Sequence, residues 1–184
     1  MLFRELETKR LILRKVRLED AKILWDNFFN DYEEYKFYKY DEIKNYEEFE
    51  QNALKQVSSY DEGNYYRWNI VAKETDELVG SISLHHFDNV NNSVKIGYFI
   101  LPQYRNNGYA IESVLKVIDF AFDVLKVHRI SATTIEGNNI SNKTLLRAGF
   151  VLEGTKKQDH MIDGKYFDSN IFGIINPIYD ILLK

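Results

Sequence analysis

The spacing of apolar and polar positions changes period several times along the chain, and each change marks an element. RLILRKV (Arg10–Val16) alternates and reads as a β-strand. LEDAKILWDNFF then takes a helical spacing, with acidic residues in its opening turn. A second helix is expected from Tyr46 to about Tyr60. Three strands follow, Tyr66–Ala72, Leu78–His85 and Asn92–Ile100, and the turn-rich connections ETDEL and DNVNN make them an antiparallel meander. From Gly108 onward, Ile111, Val114, Leu115, Ile118, Ala121, Phe122 and Leu125 share one helical face. Arg129–Thr134 reads as a short strand, and Ser141–Ala148 as a short helix closed by Gly149-Phe150. Two further strands are expected within Val151–Met161 and Tyr166–Asn176, joined by the turn Asp163-Gly164. Strands and helices mixed in this order indicate an α/β or α+β domain.

Composition narrows the function. The chain has 184 residues, and neither a Gly/Ser-rich linker nor an internal repeat divides it, so one domain over residues 1–184 is expected. No segment holds the roughly 20 consecutive apolar residues of a membrane span, and MLFRELETKR has no apolar core of a secretory signal. The absence of cysteine excludes thiolate metal sites and a cysteine nucleophile, and it suits a reducing cytoplasm. A net charge of −4 and scattered basic residues argue against nucleic acid as a partner. GxxxxGK[ST], GxGxxG, HExxH and GxSxG are all missing, and His85, His86, His128 and His160 are not spaced as metal ligands.

One stretch remains, IGYFILPQYRNNGYAIES (Ile96–Ser113). A strand ends at Leu101-Pro102 and a helix begins near Gly108. The N–H groups of about Asn106 to Ala110 are then the open donors of a helix N-terminus and carry its partial positive charge. A glycine and a small alanine let a bulky anion approach, and Arg105 adds a full charge. These parts suit a pyrophosphate, although an ordinary turn before a helix uses the same residues.

Arg105-Asn106-Asn107-Gly108-Tyr109-Ala110 fits [QR]xxGx[GA], the acetyl-coenzyme A pyrophosphate loop of the GNAT acetyltransferases. Asn138-Asn139-Ile140-Ser141 and LLRAGF (Leu145–Phe150) resemble that family's NxxS…GF segment. LETKRLILRKVRLEDA, LVGSISL, KIGYFI and DGKYFDSNIFGI resemble the branch that acetylates ribosomal-protein N-termini. The resemblance covers nearly the whole chain. It implies a mostly antiparallel sheet of six to seven strands with a splayed parallel pair, and acetyl-coenzyme A as co-substrate without a metal.

The resemblance also assigns roles. Backbone groups around Phe99, Ile100 and Leu101 would pair with the pantetheine arm, and Arg105 to Ala110 would hold the pyrophosphate. Asn106 stands where the loop commonly has glycine, and asparagine tolerates the positive φ. Asn138 would contact the pantetheine arm and Ser141 would lie near the sulfur; capping the helix is the other reading of both. Ser141 is the candidate proton donor to the departing thiolate, because the position of the tyrosine that many relatives use is Leu145. The glutamate many relatives carry before the IGY triplet is Lys95, which leaves His85, His86 or a water chain as base. Glu112 is expected to be a structural partner at the helix start.

A weak base favours an α-amine. At pH 7 neutralising an amine of pKa about 8 costs about 1.4 kcal/mol, against about 4.6 kcal/mol for a lysine. The acceptor would meet Asn30–Glu50, dense in tyrosine and acid, where a solvated helical surface is the alternative. A ribosomal-protein N-terminus, a polyamine or an amino-sugar each fits. A coenzyme A-binding sensor without turnover is the rival to an enzyme. The C-terminal INPIYDILLK suits a homodimer face or an ordinary core equally.

Overall fold

The computed structural model of the chain describes residues 3–31, 45–58 and 65–178. Its strands are β1 (Leu6–Glu7), β2 (Leu11–Lys15), β3 (Tyr66–Ala72), β4 (Leu78–Asp88), β5 (Ser93–Ile100), β6 (Arg129–Ile135), β7 (Val151–Ile162) and β8 (Lys165–Ile175). Its helices are α1 (Leu18–Leu24), α2 (Tyr46–Ser58), α3 (Tyr109–Asp119) and α4 (Asn139–Arg147). Both α1 and α3 loosen into a wider turn at their C-terminal ends, Trp25–Phe29 and Phe120–Val124. The strands form one eight-stranded sheet in the order β1-β2-β3-β4-β5-β6-β8-β7. The expected meander is β3-β4-β5, all antiparallel. The strand beyond the expected seven is β1, a two-residue pairing of Leu6 with Leu13 and Glu7 with Ile12.

Each face of the sheet carries its own core. On one, Leu11, Leu13, Trp68, Ile70, Ile82, Ile96 and Ile130 pack with Val114, Val117 and Ile118 of α3 and Leu145 of α4. On the other, Val71, Leu78, Phe99 and Leu101 pack with Ala21, Leu24, Phe28, Phe29, Phe49 and Ala53 of the α1–α2 side. Phe28 stacks on Phe99 with centroids 4.5 Å apart and planes within 9°. The central strand β3 is buried at all seven positions. A strand covered on both faces reads as a nearly continuous apolar run, and its polar members must find partners. Arg67 Nε donates to Ser81 Oγ at 2.9 Å, and Asn69 Nδ2 donates to Asp20 Oδ2 at 2.8 Å.

Two departures from regular pairing shape the site. The parallel pair β5–β6 is in register only at Ser93–Arg129, Val94–Ile130 and Lys95–Ser131. Beyond these, β5 continues to Ile100 and β6 to Ile135 without pairing each other, so the sheet forks. The β7–β8 hairpin holds the second. Its register shifts between Lys156 and His160, leaving residues 157–159 as a bulge opposite Asp168. There Lys157 Nζ and the Gln158 N–H both donate to the Asp168 carboxylate, at 2.6 and 3.0 Å. Residues 32–44 of the expected acceptor segment and 179–184 of the C-terminal segment lie outside the described residues.

Candidate active site

The fork leaves β5 with backbone groups that no strand takes up. The Leu101 N–H donates to the Val79 carbonyl at 2.9 Å, and the Leu101 carbonyl accepts from the Tyr104 N–H at 2.9 Å. An antiparallel ladder alternates every two residues, so Phe99, opposite Ser81, also turns its backbone groups to β4. The groups facing the fork are those of Tyr98 and Ile100. This corrects the expectation for Phe99 and Leu101, whose contribution is instead to hold β5: the Phe99 ring is buried against Phe28, and Leu101 is fully buried. The Ile100 carbonyl accepts from Arg105 Nε at 3.2 Å. Arg105 therefore ties the end of β5 to the following loop.

That loop forms as an anion cradle would. Asn106 and Gly108 both have positive φ, 64° and 77°, and Gly108 is the N-cap of α3. The first backbone bond of α3 runs from the Glu112 N–H to the Gly108 carbonyl at 3.2 Å. Among the described residues no backbone carbonyl accepts from the N–H groups of Asn106, Asn107, Gly108, Tyr109 or Ala110. Such a row of donors at a helix start fits a pyrophosphate without a lysine.

Sequence reasoning missed what fastens the loop. Arg10, at the start of β2, donates from Nη1 to the Asn107 carbonyl at 2.9 Å and from Nε to Glu112 Oε2 at 2.7 Å. Its guanidinium also lies 5.0 Å from the Tyr109 ring centroid. Glu112 Oε1 accepts from Thr8 Oγ1 at 2.6 Å and from the Arg10 N–H at 2.9 Å. Glu112 is thus a structural partner, as expected. Burial acts to raise its carboxyl pKa, but these donors outweigh it and hold the value below the ordinary one.

Inside the fork is a cavity of about 690 Å³. His85, His86, Phe99, Asn138 and Ser141 all line it, whereas Ile100, Leu101 and the Arg105–Ala110 loop stand outside its wall. Asn138 Oδ1 accepts the Ser141 N–H at 3.2 Å, so Asn138 caps α4. Tyr98 Oη lies 3.0 Å from Ser141 Oγ and 3.3 Å from the Ser141 carbonyl, so its single proton is given to one of the two at a time. Desolvation pushes the Tyr98 phenol up to about 12, against a smaller opposing effect of its bonds to Ser141 and Thr144. It stays protonated and acts as a donor. Leu145 is fully buried in the core on which Tyr98 packs. Tyr98 was legible only as part of the IGY triplet; its approach to α4 depends on the fork.

His85 and His86 sit at the far end of β4, with ring centroids 5.0 Å apart. His85 is half-buried, with Nδ1 3.3 Å from Ser83 Oγ, while His86 is exposed and has a φ of 53°. Burial, with the charges of His86, Lys95 and Arg67 added, lowers His85 to about 4. An imidazole this weak would take a proton from an α-ammonium of pKa about 8 only at a cost of about 5 kcal/mol. So low a value weighs against His85 as the base. A stability effect follows. Above pH 6.5 the imidazole is neutral whether the chain is folded or unfolded. Between 6.5 and 4 the unfolded chain binds a proton that the folded one refuses, so folding loses up to about 3 kcal/mol. Urea midpoints from pH 7 to pH 4 should fall less steeply for His85→Gln than for the wild type; parallel slopes would contradict the low value.

A family model described as an acetyltransferase (GNAT) domain matches residues 10–151. An uncharacterised N-acetyltransferase of Bacillus subtilis, YoaA, is 34% identical over 180 residues, covering 96% of this chain and 99% of that one. Among solved structures, a ribosomal-protein-S5-alanine acetyltransferase from Vibrio fischeri superimposes with a TM-score of 0.82 at 23% identity, over 95% of this chain and 97% of that one. The spermidine N-acetyltransferase of Vibrio cholerae, solved with coenzyme A and spermine, gives 0.82 at 20%, over 94% and 99%. The structural likenesses speak for the fold; the family model and the full-length relative speak for the chemistry. This chain belongs to the GNAT family, as an N-acetyltransferase whose acyl donor is acetyl-coenzyme A.

Proposed function

We propose that the chain, as one cytoplasmic domain over residues 1–184, transfers the acetyl group to a primary amine by direct attack in a ternary complex. The observation that carries this reading is the forked β5–β6 pair, with a cavity through it that meets the Tyr98–Ser141 pair. The bound co-substrate supplies a thioester carbonyl and a thiolate leaving group. The backbone groups of Tyr98 and Ile100 and the amide of Asn138 orient its arm, and the N–H groups of Asn106 to Ala110 hold its pyrophosphate. The Tyr98 N–H polarises the carbonyl; as the amine's N–C bond forms the C–S bond breaks, the amine's surplus proton passes to solvent water, and the Ser141 hydroxyl, paired with Tyr98 Oη, offers a hydrogen bond to the departing thiolate. Aligning both reactants in a shielded slot supplies much of the rate. For acceptors, the named activities of the neighbours suggest a ribosomal-protein N-terminus or a polyamine, and an amino-sugar has the same reacting group.

Thiol release from acetyl-coenzyme A with peptides, spermidine and an aminoglycoside tests the reading; no release with any amine would defeat it. Tyr98→Phe removes only the hydroxyl. A lost hydrogen bond of this kind is worth about 1–2 kcal/mol, so kcat should fall roughly tenfold with the KM for acetyl-coenzyme A little changed. An unaltered kcat would remove Tyr98 from the support of the departing thiolate.

A further inference from the structure

The wall of the cavity away from Tyr98 and Ser141 has an unexpected charge. The chain is acidic overall, at −4, yet among the described lining residues three cations, Arg67, Lys95 and Lys156, face one carboxylate, Asp159. That carboxylate already has Lys156 Nζ 3.9 Å away. Lys95 belongs to the last pair before the fork opens, opposite Ser131 of β6 and His85 of β4, and its side chain is exposed. Lys156 and Asp159 reach the cavity because the bulge at 157–159 breaks the β7 ladder there. Arg67 is 6% exposed and donates from Nε to Ser81 Oγ, so it adds charge to the wall as a fixed part of the core.

We propose that the acceptor of this N-acetyltransferase carries an anionic group, a carboxylate or a phosphate, close to its amine, and that Lys95, with Lys156, recognises that group. The inference rests on the transfer reading above and names the class of amine it serves. Cations around a pocket select anions and oppose a polycation such as spermidine. The same surroundings answer the shortage of a base. Like charges nearby favour the neutral form of an amine; at His85, where burial is the main cause of the lowered value, the charges of His86, Lys95 and Arg67 add to it in the same direction. An ammonium delivered there gives up its proton to water more readily, while its own anion compensates the approach of the molecule as a whole. Lysine in place of the family's frequent glutamate thus exchanges a base for a field that deprotonates.

Matched acceptors separate the sources of the anion. Ala-Asp-Glu-Gly, Ala-Asn-Gln-Gly and Ala-Lys-Lys-Gly differ only in charge, as do glucosamine 6-phosphate and glucosamine; spermidine is the polycation. The anionic member of at least one set should exceed its neutral and cationic partners at least tenfold in kcat/KM. Lys95→Glu should abolish or reverse that ratio, and Lys156→Glu should reduce it; far-UV circular dichroism checks that both fold. Preference for spermidine or the lysine peptide, or a ratio unmoved by Lys95→Glu, would overturn the proposal while leaving the transferase intact. If no acceptor releases thiol, the transfer reading fails, and calorimetry of the same compounds with coenzyme A-loaded protein decides the charge preference separately. Tighter binding of the anionic members would uphold it, and indifference to charge would overturn it.

Discussion

Replacing Gly80 with alanine is expected to loosen the fork and lower the affinity for coenzyme A at least tenfold. A Cβ at this position would lie 2.3 Å from the Phe99 carbonyl oxygen and 3.0 Å from Ile100 Cα. Both are backbone atoms, so no rotamer change makes room. Gly80 pairs with Ile100, in the stretch of β5 that β6 no longer supports. The strain is therefore relieved by moving β5 out of its ladder, and the Tyr98 and Ile100 groups move with it. Overpacking of this kind costs about 1–3 kcal/mol in stability; the larger consequence is the loss of aligned donors. Gly154→Ala is the matched control, since a Cβ there meets nothing within 4 Å. Titration calorimetry with coenzyme A and urea unfolding read the two effects. Wild-type affinity in Gly80→Ala would mean that the cofactor does not depend on where β5 lies.

Asp20→Ala should cost stability heavily, by about 3 kcal/mol, because it leaves a half-buried arginine without its carboxylate and a buried asparagine without its acceptor. Asp20 is 3% exposed. It accepts two bonds of 2.7 Å from the Arg14 guanidinium, one of 2.8 Å from the Arg17 N–H and one of 2.8 Å from Asn69. Burial alone acts to raise its pKa, but Arg14, the Arg17 amide and Asn69 together bring it below the ordinary carboxylate value. The stabilisation is therefore present in full above the unfolded value near 3.8 and drains away as pH falls through the lower folded one. Urea unfolding at pH 7 measures the loss. A cost under about 1 kcal/mol would show that Arg14 finds water or another acceptor. Asp20 opens α1, whose Phe28 ring rests on Phe99, so the variant should also disturb the far side of β5.

Much of the architecture could be read from periodicity because the sheet buries both faces in the middle and helices cover them. Tyr66–Ala72 was legible to the residue, since aromatic and β-branched residues dominate it and turn residues follow it, although its polar members Arg67 and Asn69 are buried and paired. The turn after α4 was legible too: Gly149, at φ 93°, lets the N–H groups of Gly149 and Phe150 return to the carbonyls of Leu146 and Leu145. β1 was not, because two paired residues have no period. The site divides in the same way. The loop of Asn106 to Ala110 could be found because its donors are local. The gap-facing role of Tyr98 and Ile100 could not, because it depends on which neighbour each alternate residue faces. Arg10 and the cationic wall were hidden for a related reason: they are made by residues far apart in sequence, and in the wall by a bulge that periodicity does not announce.

That bulge gives the two halves of the molecule different freedom to diverge. The acyl-donor half is held by Arg10, Glu112 and the Gly80 contact, each of which fixes backbone against backbone or against a buried partner. The acceptor wall hangs partly on a hairpin whose ladder is already out of step at residues 157–159. β7 is the edge strand of the sheet, so a residue added to or removed from its bulge can be taken up without changing the β6–β8 register. One acetyl-transferring core can thus be turned to new amines by editing a single ribbon, and an engineer seeking a different acceptor would begin at Lys156 and Asp159.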